Sequence, residues 1–407
     1  MYFQTLDDKS ECVGIYTDGA LIFDPDSFPT GLSRTWKYAP SIKGLQADYA
    51  SLYLEGAPLG NYIPEYLKDD WEEASGKIMS FKRSLEISQV NLGENCFFDL
   101  VPERFLVELC DIKNKITHHI FKTQKPPPRY EFNKYLSEML GDIASRPLLL
   151  DKQFLRSFVS HPKLLRPVER LLTQAPYVLY EQFGTRTGRL STKKGSFPAL
   201  NLHKEFRPGV LPTNDFFIEL DFNGAEVRTL IGLLGRHQPA GDIHQFHLDT
   251  VFPTLHTRAD AKTAFFAWLY GSQSADLKEA SRQLSLYYDR DSLVQKHWDG
   301  NIITTPYRRA IHDVDRHHAL NYLIQSTAAD LALKQFLKVR HLLHHHGSGS
   351  DIAFLIHDAI VLDMKEGDRP LISSIISLMK STNFGTFPIN IKEGPTLGDL
   401  REHTESG

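Results

Sequence analysis

Apolar residues along this chain follow two periods, and each predicts a different element. FFIEL, at Phe216 to Leu220, is an apolar run of strand length that leads straight into Asp221, and GAEVRTLIGLLG after it has helical spacing up to Gly235. AFLIHDAIVLDM, at Ala353 to Met364, is an apolar run interrupted by His357 and Asp358, which predicts a hairpin with that polar pair at its tip. In RADAKTAFFAWLYG, Arg258, Lys262, Phe266 and Tyr270 recur at intervals of four, so on a helix two cations and two rings share one row. Upstream, ECVGIYTDGALIF alternates as β-structure, a polar stretch from about Pro64 to Ser88 reads as helix, KPPPR at Lys125 to Arg129 is a stiff break, and Tyr130 to Gln174 is again helical. HHHGSGS, at His344 to Ser350, reads as a flexible connector.

Composition adds the charge distribution. The 407 residues carry a net charge of −4, but residues 1–100 hold 16 acidic against 8 basic side chains, whereas 151–210 hold 11 basic against 4 acidic. A stretch with a surplus of 7 positive charges in 60 residues predicts salt-sensitive binding to a polyanion. No run approaches the roughly 20 apolar residues of a membrane helix, so no membrane partner is expected. Cys12, Cys96 and Cys110 are widely spaced and fit neither a disulfide framework nor a CxxC metal site. They read as structural thiols in a reducing, cytoplasmic compartment.

The two apolar runs each deliver one carboxylate. An unpaired charge inside an apolar strand is costly, so Asp221 and Asp358 should emerge at strand ends where cations can meet them. Two fixed carboxylates, a row of cations and rings, and a basic track for a polyanion are together what nucleotidyl transfer needs. Two divalent ions on Asp221 and Asp358 can activate a primer hydroxyl and stabilise a leaving pyrophosphate, while Arg258 and Lys262 neutralise a triphosphate.

At this point the chain resembles the family A, DNA polymerase I-type polymerases, in order across roughly Tyr180 to Asp363. DFNGAEVR, at Asp221 to Arg228, is similar to the family's motif A, D-Y-S-Q-I-E-L-R. Arg258, Lys262, Phe266, Tyr270 and Gly271 meet motif B, R-x3-K-x3-F-x3-Y-G, without a gap, and IHDA at Ile356 to Ala359 is similar to motif C, V-H-D-E. TRTGRLS at Thr185 to Ser191, GDIHQFHLDTVF and NYLIQSTAADLA resemble three further family segments. The resemblance implies an α+β right-hand polymerase fold with an antiparallel-sheet palm, helical fingers and a helical thumb. Residues 1–104 would be a small acidic module, as an exonuclease-like remnant or an unrelated unit; 105–178 the thumb; 179–240 and 306–407 the palm; and 241–305 the fingers.

It also implies roles. Asp221 and Asp358 correspond to the ligands of two Mg²⁺ ions, with Mn²⁺ as a substitute, and Lys262 to the triphosphate-binding lysine and general acid. Arg258, Lys262, Phe266, Tyr270, His244 and Glu226 correspond to nucleotide-binding positions, Glu226 being the steric gate against a ribose 2′-hydroxyl. Arg189, Asn321, Gln325 and His357 match primer-template contacts, and Arg186, Lys193 and Lys194 extend that DNA-binding set around TRTGRLS. The expected partners are primer-template DNA and dNTPs, acting on a monomer in the cytoplasm of a bacterial or phage-infected cell.

Departures are Ala359 in place of the motif C glutamate, His317 where the family carries an arginine eight residues before Gln325, and Ser326 in place of a glycine. The only early D-x-E, Asp70-Trp71-Glu72, falls in a charge-rich helical run and reads as a solvated face, so no 3′–5′ proofreading is expected. Two alternatives share the pattern: a single-subunit RNA polymerase, against which Glu226 stands, and a catalytically inactive primer-template-binding protein, against which the intact Asp221, Asp358, Lys262 and Arg258 stand.

Overall fold

The computed structural model describes residues 1–7, 13–92, 94–252, 255–272 and 274–403. The chain divides into two units, one of Met1–Phe183 with Thr192–Pro198, the other of Gly184–Ser191 with Ala199–Gly407.

The second unit is built on one antiparallel sheet. Its strand order runs from the hairpin Asp351–Ile356 and Ala359–Met364 to Phe216–Phe222, then Ile389–Gly394 and Arg401–Glu402. Phe216–Phe222 is therefore central. Phe217, Ile218 and Leu220 are almost fully buried, as are Ile360, Val361 and Leu362 of its neighbour, which is why both segments read as near-continuous apolar runs. The hairpin turns at His357-Asp358 as expected, and Ala225–Leu233 is helical, with the chain passing through positive φ at Gly235.

The long helix Arg316–His345 packs against Ala225–Leu233 and Ile372–Lys380. It starts where the Asp315 carboxylate accepts from the His318 backbone N–H at 3.0 Å. Its buried positions include Ala319, Leu320, Leu323, Ile324, Leu331 and Phe336, at helical spacing. A second core gathers Leu230, Phe265, Trp268, Leu284 and Tyr288 from Ala225–Leu233, Arg258–Leu269 and Lys278–Tyr288.

The first unit carries a three-stranded antiparallel sheet, Gln4–Thr5, Ile15–Thr17 and Ala20–Ile22, whose Asp18-Gly19 turn takes positive φ at both residues. That geometry is a type I′ hairpin turn. Helices Lys68–Ile87, Glu103–Thr123, Tyr130–Ala144 and Leu165–Thr173 follow. Asp70 and Glu72 lie on an exposed face of the first of these.

Two readings need correction. Cys96 is disulfide-bonded and only Cys110 is a free, buried thiol among the described residues; Cys12 lies outside them. The cysteines therefore give no support to a reducing compartment. His344–Ser350 is no loose connector either. The long helix continues through His345, and Ser348 and Ser350 both donate hydroxyl hydrogen bonds to Asp368, at 2.7 and 2.6 Å, so composition alone missed a tertiary anchor. Among the described residues, no helix is long and apolar enough to cross a membrane.

Candidate active site

The central strand brings Asp221 to its far end, where its register partners are Ala359 on one side and Asn390 on the other. Ala359 directly follows Asp358, so the two carboxylates sit at the same end of neighbouring strands. His357, exposed at the turn, adopts φ 55°. Burial pushes both carboxyls above their ordinary range. Asp221 reaches about 6, because burial and the neighbouring Asp358 charge together outweigh its side-chain hydrogen bond with Asn390.

Glu226, 7% exposed, faces this pair from the first turn of Ala225–Leu233. The Arg189 guanidinium donates to its Oε1, and Tyr270 is its other hydrogen-bond partner. Burial raises the Glu226 carboxyl, Arg189 pulls it back down, and Asp358 pushes it up again. Gln325 Nε2 in turn donates to the Tyr270 hydroxyl at 3.5 Å. Arg189, Glu226, Tyr270 and Gln325 thus form one chain of contacts beside the carboxylate pair.

The helix Arg258–Leu269 begins where Thr257 Oγ1 accepts from the Asp260 N–H at 3.1 Å. Ala261, Ala264, Phe265 and Trp268 bury its inner face, which leaves the four-step row outside. Lys262 is exposed, Phe266 is half-buried, and the Phe266 and Tyr270 rings stack at 6.0 Å with 17° between planes. Arg258 is already engaged. Its Nε and Nη2 fork onto Asp242 at 2.9 and 2.6 Å, which holds the Asp242 carboxyl far below its ordinary range. Asp242 also caps Ile243–Thr250, accepting from the His244 and Gln245 N–H groups.

The Asp242 loop is fixed from beneath by Arg228, which is fully buried and donates to the carbonyls of Asn223, Pro239 and Gly241 at 2.7, 2.8 and 2.5 Å. Burial lowers its basicity to about 10, so it stays charged at neutral pH. His244, packed against Phe265 and Phe266, is pushed down to about 4 by burial, with Arg258 and Lys262 adding to the effect. It is neutral at pH 7.

The remaining expected residues are placed unevenly. Asn321 keeps a buried Oδ1 without a hydrogen-bond partner, as do Glu226 Oε2 and His244 Nδ1. Arg186 is exposed, donates to the carbonyls of His312 and Asp313 and lies over the Tyr322 ring at 5.1 Å. Lys193 and Lys194 are exposed and belong to the first unit. His317 packs its ring on Gly271, where a Cβ would fall 2.4 Å from Cε1. The sequence reading missed the parts of Asp242 and Arg228 in this site, although both lie inside quoted motifs; the pairing of Asp242 with Arg258 and the carbonyl contacts of Arg228 are tertiary and leave no periodic trace.

No group of three or more His, Cys, Asp or Glu side chains placed to hold a metal occurs among the described residues; Asp221 and Asp358 are a pair, with Glu226 beside them. A carboxylate pair at one end of an antiparallel sheet, linked through Glu226 to Tyr270 at the end of the cationic and aromatic helix, is the arrangement expected of a polymerase-type palm. The fold agrees. The POL domain of Pol1 from M. smegmatis, solved in complex with DNA primer-template and dNTP, matches with a TM-score of 0.55 and 14% identity, over 73% of this chain and 75% of that one.

In sequence the chain is similar to DNA polymerase I of Caldicellulosiruptor bescii, 22% identical over 289 residues, which is 59% of this chain and 34% of that protein. DNA polymerase I of Chloroflexus aurantiacus is 23% identical over 269 residues, 54% of this chain and 29% of that protein. The chain thus spans about a third of the length of these curated relatives. No family model matches. Taken with the ordered motifs, fold and relatives support placing the chain in family A, the DNA polymerase I type.

Proposed function

We propose that this chain is a template-directed DNA polymerase that adds dNTPs to a primer 3′-hydroxyl and releases pyrophosphate. The observation that carries the proposal is the meeting of Asp221 and Asp358 at one end of the sheet, both desolvated and, at Asp221, destabilised by the other's charge. Two like charges held together out of water are a poor resting arrangement, and a cation relieves both. The pair therefore fits divalent metal, with Asp221 and Asp358 as the protein ligands. Bound Mg²⁺, or Mn²⁺ in its place, would activate the primer hydroxyl and stabilise the leaving pyrophosphate.

The chain's own side chains supply the rest. Arg258, released from Asp242, and the exposed Lys262 bind the triphosphate, and Lys262 Nζ can give a proton to the departing pyrophosphate. Neutral His244 offers one N–H to a phosphate oxygen. Phe266 stacks beside the nucleotide, and Glu226, held by Arg189 and Tyr270, occupies the space of a 2′-hydroxyl. Arg189, Asn321, Gln325 and His357 contact the primer-template, where shared minor-groove acceptors allow shape checking without sequence reading. In this reading 179–240 and 306–407 are palm, 241–305 fingers, 105–178 thumb, and 1–104 an added module without proofreading. A monomer working in the cytoplasm of a bacterial or phage-infected cell belongs to the same proposal.

Primer extension on a defined template with Mg²⁺ tests it, with Asp358→Asn as the control. Template-directed extension that the substitution abolishes supports the reading. No extension by the wild type, or full activity in the variant, refutes it. Mg²⁺-dependent degradation of a mismatched primer that depends on Asp70 or Asp18 would overturn the expectation of no proofreading.

A further inference from the structure

Asp330 is fully buried on the long helix, and its carboxylate takes a fork from Arg309: Nη2 to Oδ1 at 2.7 Å and Nε to Oδ2 at 3.2 Å. Arg309 itself is nearly enclosed, its side chain 16% exposed. A buried ion pair is weak evidence for stability, since two apolar side chains of similar size would serve a core as well. What it supplies is direction: the carboxylate fixes the plane of the guanidinium.

That plane lies against Gly188. A Cβ built there would fall 2.2 Å from Arg309 Nη2 and 2.3 Å from Cζ, and Gly188 sits at φ +79°, so only glycine fits on both counts. The turn it belongs to is closed by Gly188 N–H to the Thr185 carbonyl at 3.3 Å and by Thr185 Oγ1 to the Arg189 carbonyl at 2.7 Å. Arg309 is fixed from its own side by the hairpin Ile303–Thr304 and Ala310–Ile311, where Thr305 N–H donates to the Arg309 carbonyl at 2.9 Å. The next residue after Gly188 is Arg189, whose guanidinium holds Glu226.

We infer that the buried Asp330–Arg309 pair is a positioning unit for sugar selection, acting through Gly188 and Arg189 on the orientation of Glu226. The inference rests on the polymerase reading above. Neither Asp330 nor Arg309 touches the carboxylate pair; each acts by fixing the turn from which Arg189 reaches Glu226. If the turn shifts, Arg189 no longer clamps the gate and a 2′-hydroxyl finds room. Displacements of about 1 Å at such sites cost up to about a hundredfold in rate, so a partial release of one gate should cost about tenfold in selectivity.

The test measures kcat and KM for dNTP and rNTP in the full chain, comparing wild type, Glu226→Ala, Gly188→Ala and the double variant Arg309→Met with Asp330→Leu. The double variant replaces the pair by apolar side chains, which preserves a core while removing the guanidinium plane. The expected result is an rNTP/dNTP selectivity relaxed about tenfold in both Gly188→Ala and the double variant, carried by a lower rNTP KM. A merely structural role would slow dNTP and rNTP insertion together and leave their ratio unchanged. If Glu226→Ala relaxes selectivity but the other two variants keep the wild-type ratio, the positioning inference is overturned. If Glu226→Ala itself changes nothing, the gate assignment beneath it fails.

Discussion

Replacing Asp221 by asparagine should make the metal-free protein more stable at neutral pH while abolishing the proposed chemistry. Burial and the Asp358 charge raise the Asp221 carboxyl from 3.8 to about 6. At about 1.4 kcal/mol for each tenfold in proton affinity, keeping this group ionised in the fold costs up to ~3 kcal/mol relative to the unfolded chain. The sign is fixed by the direction of the displacement: because the folded value lies above the unfolded one, the stabilising contribution is complete below about pH 4 and is lost as pH rises through about 6. Asparagine carries no charge and can still hydrogen-bond Asn390, so Asp221→Asn removes the penalty. The assay is hydrogen–deuterium exchange of the amides of Phe216–Phe222, which isolates this sheet from the rest of the chain. In EDTA at pH 7.5 exchange should slow in the variant by up to about a hundredfold, the equivalent of ~3 kcal/mol. The gain should shrink towards pH 4, and adding Mg²⁺ should slow exchange in the wild type far more than in the variant. An equal or faster exchange in the variant at pH 7.5, or a difference that ignores pH, would refute the picture of Asp221 as a carboxylate destabilised by burial and the Asp358 charge.

Other outcomes follow from the same site. Asp242→Asn keeps the helix cap but removes the ion pair, freeing Arg258 for phosphate; since exposed ion pairs are worth ~0.2–1 kcal/mol, the dNTP KM should fall by up to about fivefold, and a rise would mean that Arg258 needs Asp242 while binding. Phe266→Tyr should relax discrimination against dideoxynucleotides, as the family resemblance implies; chain-termination assays showing equal ddNTP sensitivity in both proteins would remove the assignment. Lys193→Ala with Lys194→Ala should lower the slope of primer-template affinity against salt by about two if both contact phosphate, and an unchanged slope would take them out of the DNA-binding set.

The parts of this site that the sequence made legible are those written in short-range periods. Arg258, Lys262, Phe266 and Tyr270 announce a helical row because four residues is close to one turn, and Asp221 and Asp358 stand out because each is a charge set into an apolar strand run. What stayed hidden is pairing between distant charges. Arg258 looks free in sequence, yet Asp242, sixteen residues earlier, holds it; Arg186 shows in sequence only as a cation, yet it also donates to the carbonyls of His312 and Asp313. Nothing local in YRRAIHD or TAADLA says that Arg309 and Asp330 meet. The HHHGSGS tract was misread for the complementary reason, since its composition is that of a linker and only Asp368, from another part of the chain, turns it into an anchor.

Burial alone would not have separated functional from structural acids in this sheet. Asp363 lies on the same hairpin strand as Ala359 and its carboxyl is also raised by burial, yet the Thr213 and Asn214 N–H groups donate to its two oxygens at 2.8 and 3.0 Å. It ties a loop to the sheet. Asp7 in the first unit is the same case, buried but taken up by Ser41 and Gly14. Asp221 and Asp358 differ in what opposes their burial: Asp221 has the Asn390 side chain but feels the Asp358 charge, and Asp358 has its own backbone N–H with Arg189 and His357 at a distance, and neither has backbone donors from another segment. A fold that satisfies Asp7 and Asp363 with backbone donors but leaves Asp221 buried against the Asp358 charge carries a perturbed acid of the kind that clusters at functional sites, in line with the cation site proposed for this pair. Electrostatic frustration of this kind, more than burial or motif spelling, singles out this end of the sheet for the proposed chemistry.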